Sequence, residues 1–279
     1  MPDRKKIQIE EIEQRLLLDG IFHRYQYDFR NYAQASIKRS LDFAMEAFGC
    51  KTISQLQDRV LRDPTEVTVL LDYLTIQVSA FFRDPRYFLS LRKEVVPFLR
   101  TYPFLKIWIA GCSTGEEVYS TAIMLYEEGL LERSLIYATD INSKALRTAE
   151  QGIYDSSRVQ EFKENYHKAG GKHDLSQYYT ERYGSIVFNK DLKRNFVFAD
   201  HSLATDSVFS EMHLVSCRNV LIYFNNELQN RAIELFLHSL CYRGFLGLGS
   251  KEALRFLSQA DYFEEFVQKD RIYRKKLPC

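Results

Sequence analysis

The chain has one tryptophan, five cysteines, six histidines and almost no net charge, and each scarcity removes a class of protein. Lys and Arg number 38 against 37 Asp and Glu, a formal charge of +1, so no global field argues for nucleic acid or an anionic membrane. Cys50, Cys112, Cys217, Cys241 and Cys279 are odd in number and far apart, with no C-x-x-C pair. A disulfide framework or zinc ribbon is therefore not expected, and reduced, mostly buried thiols are. The histidines form no H-E-x-x-H run, so no metal site is expected. No stretch of about 18 uncharged apolar residues occurs, and the charged start MPDRKKIQIEEIEQR lacks the apolar region of a signal peptide. The expectation is a cytoplasmic protein without membrane insertion. With 12 Gly and 6 Pro, collagen-like and low-complexity classes are also out.

What is present is a globular composition, 46% hydrophobic and 27% charged, over 279 residues, enough for two domains or one large domain with an appendage. From Ile7 to about Tyr73 apolar residues recur at three and four spacing, as in Ile37, Leu41, Ala44, Met45 and Phe48. Gly49 with Thr52, and Asp63 with Pro64, read as helix ends and caps, so residues 1–74 are expected to form a helical domain. A mixed region follows from Thr75 to Pro103. Beyond Pro103 strands and helices alternate: a strand ending at Ala110, a helix from Glu116, a strand from Ser134 to Thr139, a helix from Ser143, a strand from Met212 to Cys217, and a helix from Asn226 to Cys241. Phe245–Leu248 reads as a further strand, and Tyr262–Val267 with Arg271–Lys275 as a closing hairpin. Such alternation predicts an α/β fold with a doubly wound, mostly parallel sheet over residues 75–279. Between about 156 and 199 the pattern breaks into a polar helix, a glycine loop and short alternating strands, which reads as a small antiparallel β insertion whose last strand rejoins the main sheet.

The strand-loop-helix unit Trp108-Ile-Ala-Gly-Cys-Ser-Thr-Gly-Glu-Glu-Val-Tyr-Ser120 carries the strongest chemistry. Gly111 and Gly115 let the backbone approach a ligand at the carboxyl end of the first strand, where doubly wound sheets bind nucleotides. Glu116 and Glu117 follow at once; they suit a helix N-terminus but would repel a pyrophosphate. Local charge thus favours S-adenosylmethionine, which has a sulfonium, an α-amino group and no phosphate. The alternative for one of the two glutamates is that it serves only the first helical turn. Asp140, ending the second strand, is placed to accept ribose hydroxyls, although Asp-Ile-Asn is also a helix cap. Cys217-Arg-Asn219 ends a buried strand in polar groups, as expected at a cleft, with Asn219 and Tyr223 as candidates for its substrate side and Val220, Leu221 and Ile222 as core. Arg83, after Phe81 and Phe82, can offer a fork to a carboxylate, or pair with Asp84 at the surface.

These motifs resemble the CheR-type chemotaxis receptor methyltransferases. The likeness rests on Ala80-Phe-Phe-Arg83, on Ala110-Gly-Cys-Ser-Thr-Gly-Glu-Glu117 with Tyr119-Ser120, on Ala138-Thr-Asp-Ile141 with Gly152-Ile-Tyr154, and on Cys217-Arg-Asn-Val-Leu-Ile-Tyr-Phe224, in the family's order. It implies a class I methyltransferase fold and methyl transfer from S-adenosylmethionine to receptor glutamates. It further implies that Glu117 and Asp140 hold the methionine amine and ribose, and that Ser202 and Leu203 lie along the adenine. By the same resemblance Gln77, Ser79, Arg83, Gly111, Asn219 and Val220 complete the cofactor set, and Arg83 and Tyr223 stand near the methionine carboxylate and the incoming glutamate. The insertion sits where some members dock a receptor tail. Three places depart from the family: Gln77 and Ser79 replace an Asn-x-Thr pair, Met212-His213 replaces a Phe-Asp pair, and Lys38 and Arg39 are offset by Asp42 and Glu46 where members are more basic. The implied partner is a receptor or signalling protein, without nucleic acid. Two readings keep the fold and change the role: a methyltransferase with an RNA or small-molecule acceptor, and a non-catalytic S-adenosylmethionine-binding signalling module.

Overall fold

The computed structural model describes residues 2–277, the side chains of residues 2–7 apart; Met1, Pro278 and Cys279 lie outside it. The chain divides into two compact units: one of residues 1–77, 202–206 and 223–232, the other of 78–201, 207–222 and 233–279.

In the first unit, α1 (Pro2–Tyr25), α2 (Gln34–Phe48), α3 (Ile53–Arg62) and α4 (Pro64–Leu74) follow the sequence periodicity. Gly49 ends α2 in the left-handed region, Thr52 Oγ1 accepts from Gln55 N at 3.2 Å, and Asp63 Oδ1 accepts from Thr65 N at 2.8 Å ahead of Pro64. Each cap satisfies backbone groups that a helix end leaves open. Leu17, Ile21, Ile37, Leu41, Leu56, Val60 and Leu70 form the core of this unit. Tyr32 bridges to Phe224, and Ala33 N donates to Tyr223 O, so the segment after residue 222 is tied to the helical core.

The second unit begins with a helical stretch where the sequence suggested only a mixed region. Here α5 (Pro85–Ser90) passes through a π turn, Leu91–Val95, into α6 (Val96–Leu99). The remaining helices are α7 (Glu116–Glu127), α8 (Ser143–Gln151), α9 (Val159–Lys168), α10 (Lys190–Lys193) and α11 (Asn226–Ser239), the last with its residues 226–232 in the first unit. The strands are β1 (Leu105–Ala110), β2 (Ser134–Asp140), β3 (Ile153–Asp155), β4 (Tyr179–Arg182), β5 (Ser185–Phe188), β6 (Phe196–Asp200), β7 (Met212–Cys217), β8 (Leu240–Leu248), β9 (Phe263–Val267) and β10 (Ile272–Lys275). Seven of them form one sheet in the order β6-β2-β1-β7-β8-β10-β9, parallel except for β10. The α/β, doubly wound expectation holds. β1, β2 and β7 are mostly buried on both faces, with Ile107 and Ile109 in the core that includes Val118 and Ala122 of α7 and Trp108 meeting Phe236 of α11 at 5.3 Å.

Two boundaries differ from the sequence reading. α11 ends at Ser239, and β8 starts at Leu240 rather than Phe245, because parallel pairing with β7 takes the backbone from Met212 onward. The small antiparallel sheet has three strands in the order β3-β5-β4, and its first strand comes from just before residue 156. β6 joins the main sheet beside β2, as expected of the last strand of that segment. Lys172 ties the glycine loop of this segment down: its N–H donates to Glu127 Oε1 at 3.1 Å and its ammonium reaches Glu128 at 2.9 Å. Glu127 also accepts from Tyr166, Tyr178 and Arg92, a buried polar cluster that fastens the loop to the end of α7.

Candidate cofactor site

β1 delivers the chain into the loop Gly111–Gly115 and then into α7, so the loop lies at the carboxyl edge of the parallel sheet. Gly111 has φ +71, and a Cβ there would lie 2.5 Å from Val220 Cγ2. Only glycine lets these two segments meet, which places Val220 directly on the loop. Tyr154 Oη donates to Thr114 O at 2.7 Å and Tyr119 Oη to Ala149 O at 2.9 Å, so the aromatic members of the motifs brace the loop and α8.

The two glutamates separate. Glu116 is buried and accepts from Thr114 Oγ1 at 2.7 Å, a partner within its own turn. Glu117 faces across the sheet edge: Oε1 accepts from Ser216 Oγ at 2.5 Å and Oε2 from Arg218 Nη1 at 2.9 Å. A carboxylate has about four acceptor positions, so Glu117 keeps capacity for a further donor.

Asp140 is 8% exposed. Its Oδ2 accepts from Ser113 N at 2.8 Å and its Oδ1 from Asn142 N at 2.9 Å, while burial pushes its pKa up from the ordinary 3.8. The cap of α8 is Asn142, whose Oδ1 accepts from Lys144 N and Ala145 N, so Asp140 is a loop brace at a strand end and not the helix cap. Asp200 stands opposite Asp140 in the β2–β6 register and adds to the raised pKa.

Arg218, inside the Cys217–Phe224 motif, has a structural role that no local sequence signal marks. Its side chain is 1% exposed; it bonds Glu117, Asp84 Oδ2 at 2.8 Å and Arg83 O at 2.8 Å, and lies 4.2 Å from the Tyr87 ring centroid. The Arg83–Asp84 surface pair weighed from sequence does not form, because the buried arginine takes Asp84 instead. Arg83 is half-buried and Nη1 donates to Val78 O at 2.9 Å; no acidic side chain among the described residues pairs with it. Its turn is tied to α7 by Ser120 Oγ, which accepts from Phe82 N at 2.8 Å. Ser79, half-buried, offers its carbonyl to Arg158 Nη1 at 3.2 Å.

Asn219 adopts φ +61, and its Oδ1 is buried without a hydrogen-bond partner among the described residues. Glu252, which sequence reasoning missed entirely, holds the Asn219–Ile222 loop by its backbone N–H groups. No local signal marked it, since a glutamate in a polar loop usually faces solvent.

The other sequence candidates belong to the first unit. Gln77 and Tyr223 line one groove there, of about 680 Å³, together with Arg39, Phe43, Glu46 and Tyr73. Leu203 is buried, and Ser202 opens a tight turn, its N–H donating to Asp206 Oδ2 at 2.9 Å.

The second unit thus assembles Gly111, Glu117, Asp140, Asn219 and Val220 at one sheet edge rich in carboxylates. Such an edge suits a ligand with ammonium and hydroxyl donors and a sulfonium charge. The orphaned Asn219 oxygen is a further acceptor awaiting one. These donors match S-adenosylmethionine, and the acidic lining disfavours a phosphate ligand.

Comparison with known proteins agrees. The family model "CheR methyltransferase, SAM binding domain" matches residues 77–272, and "CheR methyltransferase, all-alpha domain" matches residues 12–75. The chain is 60% identical over 265 residues to the Cher3 protein of Pseudomonas putida, covering 95% of this chain and 97% of that one. It is 30% identical over 237 residues to a chemotaxis protein methyltransferase of Listeria innocua, covering 84% and 87%. It is 32% identical over 244 residues to the chemotaxis protein methyltransferase Cher2 of Pseudomonas putida, covering 79% and 82%.

Proposed function

The chain belongs to the CheR methyltransferase family and binds S-adenosylmethionine, and from that premise we propose that it methylates glutamate side chains of a receptor or signalling protein. The products would be a glutamyl methyl ester and S-adenosylhomocysteine. The observation that carries the acceptor class is Arg83: a guanidinium whose one bond among the described residues is to the Val78 carbonyl, with the adjacent Asp84 already held by Arg218. Its remaining N–H groups can orient a carboxylate in a bidentate fork.

When bound, the cofactor supplies a methyl carbon on a sulfonium, the electrophile for in-line displacement. Glu117 and Asp140 would take its amino and hydroxyl donors with the acceptor positions left beyond their protein bonds. Asn219 Oδ1 would receive another donor. A glutamate side chain has a reference pKa near 4.3 and is ionised at neutral pH, so the acceptor needs no general base. Rate then comes from holding the attacking oxygen in line and stripping its water, the task assigned to Arg83. The roles that the family resemblance implies for Gln77, Ser202, Leu203 and Tyr223 remain part of the proposal and are tested by substitution.

The test is transfer of a tritiated methyl group from S-adenosylmethionine to receptor cytoplasmic fragments, with release of the label as methanol in alkali. Wild-type protein is expected to give alkali-labile label, and Asp140→Ala and Glu117→Ala to lose it. Full turnover in both variants, label stable to alkali, or cofactor binding with no transfer to any fragment would overturn the reading.

A further inference from the structure

Glu252 follows β8 in a loop and is 4% exposed, yet its carboxylate has no cationic partner among the described residues. Four backbone N–H groups fill it instead. Oε2 accepts from Gly249 at 2.5 Å and Asn219 at 3.0 Å; Oε1 accepts from Val220 at 2.9 Å and, more weakly, from Ile222 at 3.4 Å. A buried carboxylate satisfied only by amides is costly to desolvate, so the arrangement persists only where it settles something else. What it settles is the path of the chain after β7. Asn219 stands at φ +61, in the left-handed region that non-glycine residues adopt only when their surroundings hold them there. Val220 presses on Gly111. A Cβ on Gly249 would lie 2.7 Å from Glu252 Oε2 and 2.8 Å from Asn219 N, so the approach of these three residues depends on glycine at 249.

We propose that Glu252 is a positioning residue of the cofactor site: by gripping the amides of Asn219, Val220 and Gly249 it aims the unpartnered Asn219 oxygen and seats Val220 against the glycine loop. Glu252 itself touches no reacting atom. The inference rests on the cofactor reading of this loop and is independent of which protein is methylated.

The test is calorimetric titration of the full chain with S-adenosylhomocysteine, for wild type, Glu252→Gln, Gly249→Ala and a control destabilised elsewhere in the same unit, Leu99→Ala. Glutamine keeps the shape but turns one acceptor into a donor facing amides. Glu252→Gln and Gly249→Ala are each expected to bind at least about tenfold more weakly, the consequence of one unmade buried bond at the site, at temperatures where both are folded by circular dichroism. Leu99→Ala should melt lower and bind as wild type. At saturating cofactor, turnover of Glu252→Gln is expected to stay within about threefold of wild type, so that the loss appears in KM and not in kcat. Should Glu252→Gln not fold, Gly249→Ala carries the comparison. Wild-type affinity in the folded variants, or equal weakening in Leu99→Ala, overturns the proposal while leaving the function standing. Failure of the wild-type chain to bind overturns the cofactor reading itself.

Discussion

Arg218 Nη1 donates to Glu117 Oε2 at 2.9 Å, joining the end of β7 to the first turn of α7 through a side chain that is 1% exposed. The same guanidinium holds Asp84 and the Arg83 carbonyl, so one buried cation gathers the turn before α5, the glycine loop's helix and the strand end.

Replacing Arg218 by Met should therefore leave Glu117 and Asp84 without their cation. Breaking a buried pair from one side costs about 3–5 kcal/mol; with Asp84 half exposed, the lower end of that range is expected. Urea denaturation measures it, and a loss under about 1 kcal/mol would show that the cluster is not structural.

Gly111→Ala should be more harmful than an ordinary Gly→Ala change, since the added Cβ both meets Val220 Cγ2 at 2.5 Å and takes φ +71. The double variant with Val220→Ala removes the clash and keeps the backbone strain. Part of the lost S-adenosylhomocysteine affinity is expected to return in it, giving a coupling of about 1 kcal/mol or more in a double-mutant cycle. Strict additivity would mean the two side chains do not meet.

The pH dependence follows from Asp140 and Glu252, both raised by burial above their ordinary 3.8 and 4.5. For each, the folded chain binds its proton more tightly than the unfolded one. The resulting stabilisation is present below the unfolded value and is lost as pH rises through the raised folded value. Cofactor binding needs the ionised forms and runs the other way. S-adenosylhomocysteine affinity should fall on acidification while the pH is still above the ordinary carboxylate range, and Asp140→Asn should bind more weakly at pH 7 with a flatter profile. Titrations at several pH values check both, and an affinity constant down to pH 4 would refute the assignment.

Thr52→Ala removes the acceptor that Gln55 N uses at the start of α3. A loss of about 1 kcal/mol, seen in thermal unfolding, is expected with S-adenosylhomocysteine affinity unchanged. A change in affinity would show that the cap has a role beyond its helix.

Much of this protein was written locally. The three-and-four spacing of apolar residues in residues 7–73, the caps at Gly49, Thr52 and Asp63, the strand-helix alternation after Pro103 and the acidic glycine loop each depend on neighbours a few residues away, and each appears in the structure as the sequence implied. Local charge was enough to favour a sulfonium ligand over a phosphate. Pairings across long separations were not readable. Arg218 and Glu117 lie 101 residues apart, and Asn219 and Glu252 lie 33 apart. Asp84 adjoins Arg83 in the chain yet bonds Arg218, and Asp140, a fair cap by sequence, braces the glycine loop while Asn142 caps. In each case several partners were chemically acceptable. Only packing at the sheet edge, where burial makes an unmet charge or amide expensive, chose among them.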